Sequence, residues 1–505
     1  MVQTTVMTVL CAAVVATYLI VPGMWQWTRA ESIAARAFEW RAQLDTPSGQ
    51  VDTKLVDMLR NASTSAQGSP LILTYHDISY DTASRWTVTP EAFAMQMQLL
   101  HDAGWTTLTE DDLLRWLDGE PLPPRSVVIT FDDGTRGVWR YADRVLARNQ
   151  QHALAFVITG FLGTRLPYYM TWAEVAALQA SGRWDVEAHA HLGHVFIPVD
   201  AEGGQGPFLT SMKFLFDQHR FETPDEYRLR VLTDLTECKR QFSLHNLPEP
   251  KLFAYPFSAH SDVPGVDGVL GSIVRSLYKA AMLDQPETIT ATTTSNRAEG
   301  NIARMDVSRD VTLERFAEKL VAASPLDPGT AEPFRDVDGW TVPVGEPPYF
   351  KIDNDSRLTI DPGPGNDGSL QYARFRTSMW NTYIMSADVG GFSYSGDDTT
   401  TGLSVLTGDV EQEVDISIAD GFYSIHVGFA GKVPVSSGGL PDRTSYHVVV
   451  VVTPAVVIVT IESQDPVVIF LEPATPRLSA GGIGVNCHRE FDTSPPGVIS
   501  NLRLH

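Results

Sequence analysis

From Leu71 onward the chain alternates short, almost wholly apolar runs with longer stretches whose apolar residues recur at helical spacing. The runs "LILTY", "SVVITF", "ALAFVI", "WDVEAH", "KLFAYP" and "IARMDV" are too uniformly apolar to leave one face in water, and so predict buried strands of a parallel sheet. Between them "PEAFAMQMQLLHDAG", "YADRVLARNQQ", "TWAEVAALQASG" and "PDEYRLRVLTDLTECKRQF" predict helices, the first closing on a glycine suited to a helix C-terminus. Strand alternating with helix predicts an α/β domain, a parallel sheet or a barrel of β/α units, over residues 70–325. After "SPLDPGT" the pattern changes. Residues 330–505 are rich in Gly, Asp, Ser, Thr and Val, with runs such as "YHVVVVV" and "VVIVTIES", and predict a separate all-β sandwich.

Upstream, residues 1–28 carry no charge before Arg29. As a helix this run is long enough for a hydrocarbon core of about 30 Å, with Trp25 and Trp27 placed as an interfacial belt. It is expected to be a single-pass transmembrane signal anchor, or a cleaved signal peptide, with the later domains outside the cell. Residues 29–69 read as a stalk, "ESIAARAFEWRAQL", and a polar linker ending in "NASTSAQGSP". The 505 residues are too many for one ordinary core, in line with this division. A net charge of −23, from 61 acidic against 38 basic residues, argues against a nucleic acid as main partner and favours neutral or cationic ligands. Cys11, Cys238 and Cys487 fall in different segments, so no disulfide framework is implied.

In a parallel barrel the catalytic groups gather at the C-terminal strand ends. Four strands deliver polar groups there. "LILTYHD" brings His76 and Asp77, "VVITFDDG" brings Asp132 and Asp133, "WDVEAHAHLGH" brings Glu187, His189, His191 and His194, and "LFAYPFSAH" brings Tyr255 and Ser258. Adjacent carboxylates repel, most strongly at low dielectric, and a divalent cation removes the difficulty. Consecutive side chains point apart, so one can bind a metal while the other faces a reacting water. Asp-Asp-Gly alone reads first as a solvated turn. The histidines change that balance. His189 and His194, five apart, would lie about 140° from each other on a helix, whereas a strand running into a loop can fold both onto one ion. With one Asp they form a set that leaves metal positions open for water and substrate.

"TFDDG", "HAHLGH" and "FAYPFS" together resemble the polysaccharide deacetylases of carbohydrate esterase family 4, the NodB-homology domain, over about residues 70 to 320. The histidine interval and the "YHDI" segment resemble the branch acting on poly-N-acetylglucosamine. The resemblance implies a distorted (β/α) barrel, metal ligands Asp133, His189 and His194, Asp132 as general base and His76 as general acid. It further implies a substrate surface around Tyr255, Pro256 and Phe257, and hydrolysis of N-acetyl groups from an acetylated polysaccharide with release of acetate. The mixed His/Asp set suits zinc, while cobalt, nickel or iron fit the same ligands. O-acetyl ester hydrolysis and non-catalytic glycan binding are the alternatives.

His191 reads as a substitute ligand, a substrate contact or an exposed loop histidine, and Glu187 as a partner fixing an imidazole tautomer. Asp77 either orients His76 or caps the following loop. Pro256-Phe257-Ser258 stands where the family often has a glycine third, which bears on the oxyanion loop. Residues 201–223 are long for a β/α loop and are expected to form a substrate lid. The end of the chain, "GGIGVNCHREFDTSPPGVISNLRLH", resembles the last strands of concanavalin-like jelly rolls. Trp340, Tyr349, Trp380 and Tyr394 are candidates there for stacking on sugars or for the core.

Overall fold

A computed structural model of the chain describes residues 41, 45–62, 70–81, 84–120, 122–123, 125–285, 300–324, 326, 328–342, 348–377, 380–392, 399–407, 412–419, 421–428, 433–471 and 481–505. Seven parallel strands follow in chain order: β1 (Leu71–Tyr75), β2 (Ser126–Phe131), β3 (Ala153–Val157), β4 (Trp184–Ala188), β5 (Leu252–Ala254), β6 (Ala280–Gln285) and β7 (Asn301–Asp306). Each pairs with the next and β7 pairs back onto β1, so the sheet closes into a barrel, with the short strand Thr106–Thr107 added beside β2. The seam between β4 and β5 is the thinnest, with the single pairing Phe253↔Ala188. Six of the seven strands coincide with apolar runs in the sequence. The exception is β6.

Side chains alternate between two cores, as the period of two requires. Leu73, Ile129, Ala155, Trp184 and Met305 belong to the layer between strands and helices. Ile72, Val128, Phe156, Ala254, Met282 and Ile302 belong to the barrel interior, which the helix Glu110–Leu117 closes from below with Leu113 and Trp116. The same alternation puts Asp132, His189, Asp284 and Arg304 in the inward set.

The outer helices carry the signals that their sequences promise. Pro90–Asp102 starts on a Thr89 cap with proline at its first position, and Gly104, at φ 76, follows its end. Pro224–Leu244 starts on Thr223 and Glu226, which cap each other reciprocally. Residues 53–60, within the segment read as stalk and linker, instead form a helix whose Val56 and Leu59 are buried in the outer core. An amphipathic turn of that length gives little helical signal and gains its stability from docking.

Among its described residues the second domain has two seven-stranded antiparallel sheets. One core joins them, with Leu403 and Ile416 from one sheet and Leu358 and Val450 from the other. Trp340 and Trp380 lie in that core, whereas Tyr349 is 65% exposed. Tyr394 lies outside the described residues, as does the expected anchor at 1–28. Among the described residues no helix is long and apolar enough to cross a membrane.

Candidate active site

The turn after β2 separates the two carboxylates. Asp133 takes φ 72 and Gly134 φ 79, and these successive left-handed residues send neighbouring side chains to different partners. Asp132, only 1% exposed, accepts from Arg304 in a two-pronged pair, Nη1 to Oδ1 at 2.8 Å and Nη2 to Oδ2 at 2.7 Å. Burial alone would raise the Asp132 pKa, but the charges of Arg304 and His189 bring it below the usual carboxylate range. Arg304 also reaches Asp284 Oδ1 at 2.7 Å and donates to the Thr130 hydroxyl at 3.1 Å.

Asp133 Oδ1 lies 3.5 Å from His189 Nε2 and 3.4 Å from His194 Nε2. Burial raises its proton affinity, but the facing His189 ring and the charges of His76 and His194 hold it well below the ordinary value. His189 is buried and its Nδ1 sits 2.8 Å from the Ala254 carbonyl, so Nδ1 carries the proton and Nε2 is left to face Asp133. Burial, together with the neighbouring His189, pushes His194 down to about 4, which keeps its ring neutral near pH 7.

These residues fit a divalent cation on two grounds. Asp133 Oδ1 is buried without a hydrogen-bond partner, and the three ligand atoms converge within 4.8 Å. The observed N···O separations match the edge of a tetrahedron with metal–ligand distances of about 2.1 Å, which is about 3.4 Å.

The carboxylate and histidine groups open into a cavity of about 530 Å³. His76 forms one wall, its ring 5.2 Å from that of Trp86, with a buried Nδ1 that has no hydrogen-bond partner. Phe257 also lines the cavity, packed on His194 at 4.3 Å and on Phe196 at 4.7 Å. The strand-end residues Asp284 and Asp306 also line the cavity and bring carboxylate oxygens to His76. Burial, then the Asp284 charge, pushes Asp306 up to about 7.

The structure therefore brings His76, Asp132, Asp133, His189, His194 and Phe257 to one cavity. Tyr255 and Pro256 are buried and lie outside its lining, with Tyr255 packed on Phe253. His191 also lies outside. The strand ends at Ala188 and Ala190 takes φ 64, which turns His191 to the Thr159 hydroxyl at 2.9 Å and lets His194 return to the site. Glu187 does not fix an imidazole; the Ala254 carbonyl does. The Glu187 carboxylate instead accepts from the backbone N–H groups of Lys251 and Leu252. Asp77 is buried, which raises its pKa, and the Thr135 hydroxyl that stands near it donates to the His76 carbonyl at 3.0 Å. Where the family often has glycine, Ser258 takes φ 52 and its hydroxyl accepts from the Asp284 N–H at 2.7 Å, a contact glycine cannot make. Residues 201–223 fall in two short hairpins, Phe196–Pro198 with Gln205–Pro207 and Phe214–Leu215 with Arg220–Phe221. Arg304, Asp284 and Asp306 were not singled out from the sequence. The signal available for two of them was a charged residue at every second position of an otherwise apolar run, "IARMD".

Residues 119–264 match the family model described as polysaccharide deacetylase, a span that holds Asp132, Asp133, His189 and His194. The poly-beta-1,6-N-acetyl-D-glucosamine N-deacetylase of Escherichia coli K12 is 21% identical over 279 residues, covering 51% of this chain and 39% of that protein. The Staphylococcus epidermidis protein of the same name is 30% identical over 131 residues, covering 25% of this chain and 43% of its own length. The chain thus spans less than half the length of these two curated relatives. Among solved structures, a de-N-acetylase from Aggregatibacter actinomycetemcomitans is 17% identical, covers 49% of this chain and 98% of its own, and aligns with a TM-score of 0.43. The family match thus falls on the strand ends that build the cavity, and what this barrel is similar to is a polysaccharide deacetylase domain.

Proposed function

We propose that the barrel hydrolyses N-acetyl groups on a polymer of N-acetylglucosamine type, using a divalent cation, outside the cell. The observation that carries this reading is the convergence of Asp132, the Asp133/His189/His194 set and His76 in one open cavity of a domain that matches the deacetylase family. The names of the curated relatives point to the polymer. The location outside the cell rests on the apolar N-terminal run.

Asp133, His189 and His194 would hold the cation. When bound, it supplies Lewis-acid polarisation of the amide carbonyl and acidifies water. Asp132 takes the proton of the water that attacks the carbonyl carbon. Arg304 fixes both oxygens of that carboxylate, so the base is oriented before substrate arrives, at the cost of some basicity. As the carbon–nitrogen bond breaks, the departing nitrogen takes a proton from the His76 ring, leaving acetate and a free amine on the sugar. Asp306, pushed up to about 7, brings a carboxylate oxygen within 4.8 Å of that ring. Phe257, which lines the cavity and is 43% exposed, offers a flat apolar face to a pyranose ring.

The test is acetate release from N-acetylglucosamine oligomers by the full chain, with added zinc or with chelator, beside Asp132→Asn and His189→Ala. Release that needs metal and falls about 10²- to 10⁴-fold in Asp132→Asn is expected. Absence of release by the zinc-loaded protein would remove this substrate class.

A further inference from the structure

The two histidines of the Asp133 set are not held alike. His189 follows directly on β4, where its N–H donates to the Val157 carbonyl at 3.1 Å and its ring rests against the Ala254 carbonyl at 2.8 Å. His194 stands five residues further on, beyond the left-handed turn at Ala190 and outside any strand. What fixes the turn between them is a carboxylate from another element. Asp234, midway along the helix Pro224–Leu244 and 8% exposed, accepts from the His191 N–H at 3.0 Å through Oδ2 and from the Leu192 N–H at 2.8 Å through Oδ1. Residue 191 is clamped on its other side to the segment after β3. Its carbonyl accepts from the Gly160 N–H at 3.0 Å, and its ring Nδ1 lies 2.9 Å from the Thr159 hydroxyl. Gly193 lies so close to the helix that a Cβ built there would stand 2.9 Å from Asp234 Oδ2 and 3.1 Å from the Phe208 ring.

Successive backbone N–H groups in a turn form a concavity suited to an anion, and a carboxylate can accept at both oxygens. An amide in its place would keep one acceptor and turn its own N–H groups toward the second backbone N–H. One buried donor would then lose its partner, and the turn would relax to find another. His189 has supports of its own in Val157 and Ala254, so the displacement falls on His194, the residue that ends the turn. On the basis of the cation reading above, we propose that Asp234 is a positioning residue for the metal set. Through the backbone of residues 191–193 it sets the place of the His194 ring, whose Nε2 lies 3.4 Å from Asp133 Oδ1.

Zinc affinity of the full chain, read by competition with a chromophoric chelator, tests this in a double-mutant cycle of Asp234→Asn with His194→Ala. Alone, Asp234→Asn is expected to weaken zinc binding about 10- to 100-fold, and in cobalt-loaded protein to move the visible spectrum toward that of His194→Ala. Placed on His194→Ala, it should change zinc affinity by less than about twofold, since the ring that it positions is gone. Leu235→Ala, at the neighbouring residue buried in the outer core, should disturb the helix packing yet keep the wild-type zinc affinity and spectrum. Should Asp234→Asn not fold, Gly193→Ala presses a methyl group against the same carboxylate, and a loss of zinc affinity is expected there too. Wild-type affinity in whichever of these two variants folds, an equal loss with and without His194, or an equal loss in Leu235→Ala overturns the proposal. Failure of the wild type to bind zinc removes the cation reading and the proposal together. Zinc binding that depends on Asp234 only when His194 is present, without acetate release, sinks the deacetylase reading alone and leaves the role of Asp234 standing.

Discussion

The two ends of the barrel interior face the same difficulty and meet it differently. At the upper end, where the strands finish, Asp132, Asp284 and Asp306 crowd around Arg304, whose side chain has no exposure. At the lower end Glu187, Glu110 and Asp185 stand together near Lys251 and His152. Above, a guanidinium compensates the acids and keeps Asp132 ionised. Below, Glu187 is 2% exposed, and its burial, reinforced by the Glu110 charge, pushes its pKa well above the ordinary value. Burial thus favours the protonated form of Glu187, whose carboxyl accepts from the Lys251 and Leu252 N–H groups where β4 and β5 barely pair. A fixed cation orients a charged base. A retained proton patches a seam without leaving a charge in the core. The apolar layer of Ile72, Phe156, Met282 and Ile302 separates the two solutions.

The largest expected break in this comparison is Arg304→Met. Removing one partner of a buried pair leaves Asp132 and its neighbours uncompensated, and should cost about 3–5 kcal/mol of stability, read from denaturant unfolding at pH 7. Part of the loss should return at low pH, as the carboxylates take up protons. A variant as stable as the wild type would mean that the upper end does not depend on its guanidinium.

Next is the upper end's open set of donors. Zinc at about a hundred times its dissociation constant should add about 2.7 kcal/mol of stability in the wild type. The gain should vanish in His189→Ala and persist in Glu187→Gln, since only the upper end holds the Asp133 set. An equal zinc effect in both variants would place the ion elsewhere.

How much of this was legible beforehand follows from where each partner sits. His76, Asp132, Asp133, His189 and His194 stand at the ends of apolar runs, and the period of two already aims such ends at the barrel mouth. Arg304 meets Asp132 across 172 positions, and no local pattern records that pairing. Asp284 follows "AAML", a run too short and too small in its side chains to read as a strand before the barrel closes around it. His191 shows the opposite failure. Its spacing from His189 implied a shared face, but the left-handed turn at Ala190 ended the alternation, and a φ is not written in the identity of an alanine. The sandwich was legible as a class from its β-branched runs, while the buried places of Trp340 and Trp380 depended on the packing of two sheets.

Glu187→Gln sharpens the lower half of the comparison. A carboxyl whose folded pKa is raised contributes stability fully below its unfolded pKa of about 4.3, and loses it as pH rises from there toward the folded value. The neutral amide mimics the protonated acid, with an oxygen for the two backbone N–H groups and an N–H for Glu110. Relative to this variant, the wild type should lose stability as pH rises above about 4.3, by at most about 1.4 kcal/mol per pH unit for one proton. At pH 7 the variant should equal or exceed the wild type. Parallel stability curves for the two proteins across pH 4 to 7 would show that Glu187 is ionised in the fold, and the contrast with Asp132 would collapse.

The smallest effect belongs to Lys251→Met, and its smallness is the point. Lys251 Nζ lies 3.1 Å from Glu110 and 3.3 Å from Asp111, which on a contact map looks like the lower counterpart of Arg304. Its side chain is 44% exposed, however, so water screens the pair and the lysine alone cannot neutralise the acids behind it. If the retained proton does that work, removing the ammonium group should cost no more than about 1 kcal/mol, because Glu110, whose pKa burial already raises, can hold a proton more firmly in its absence. The compensation has a signature that a merely weak contact lacks. Lys251→Met should steepen the decline of stability with rising pH, and that added slope should shrink in the double variant with Glu187→Gln. A loss near that of Arg304→Met, with no change in pH slope, would mean that both ends are held by fixed cations.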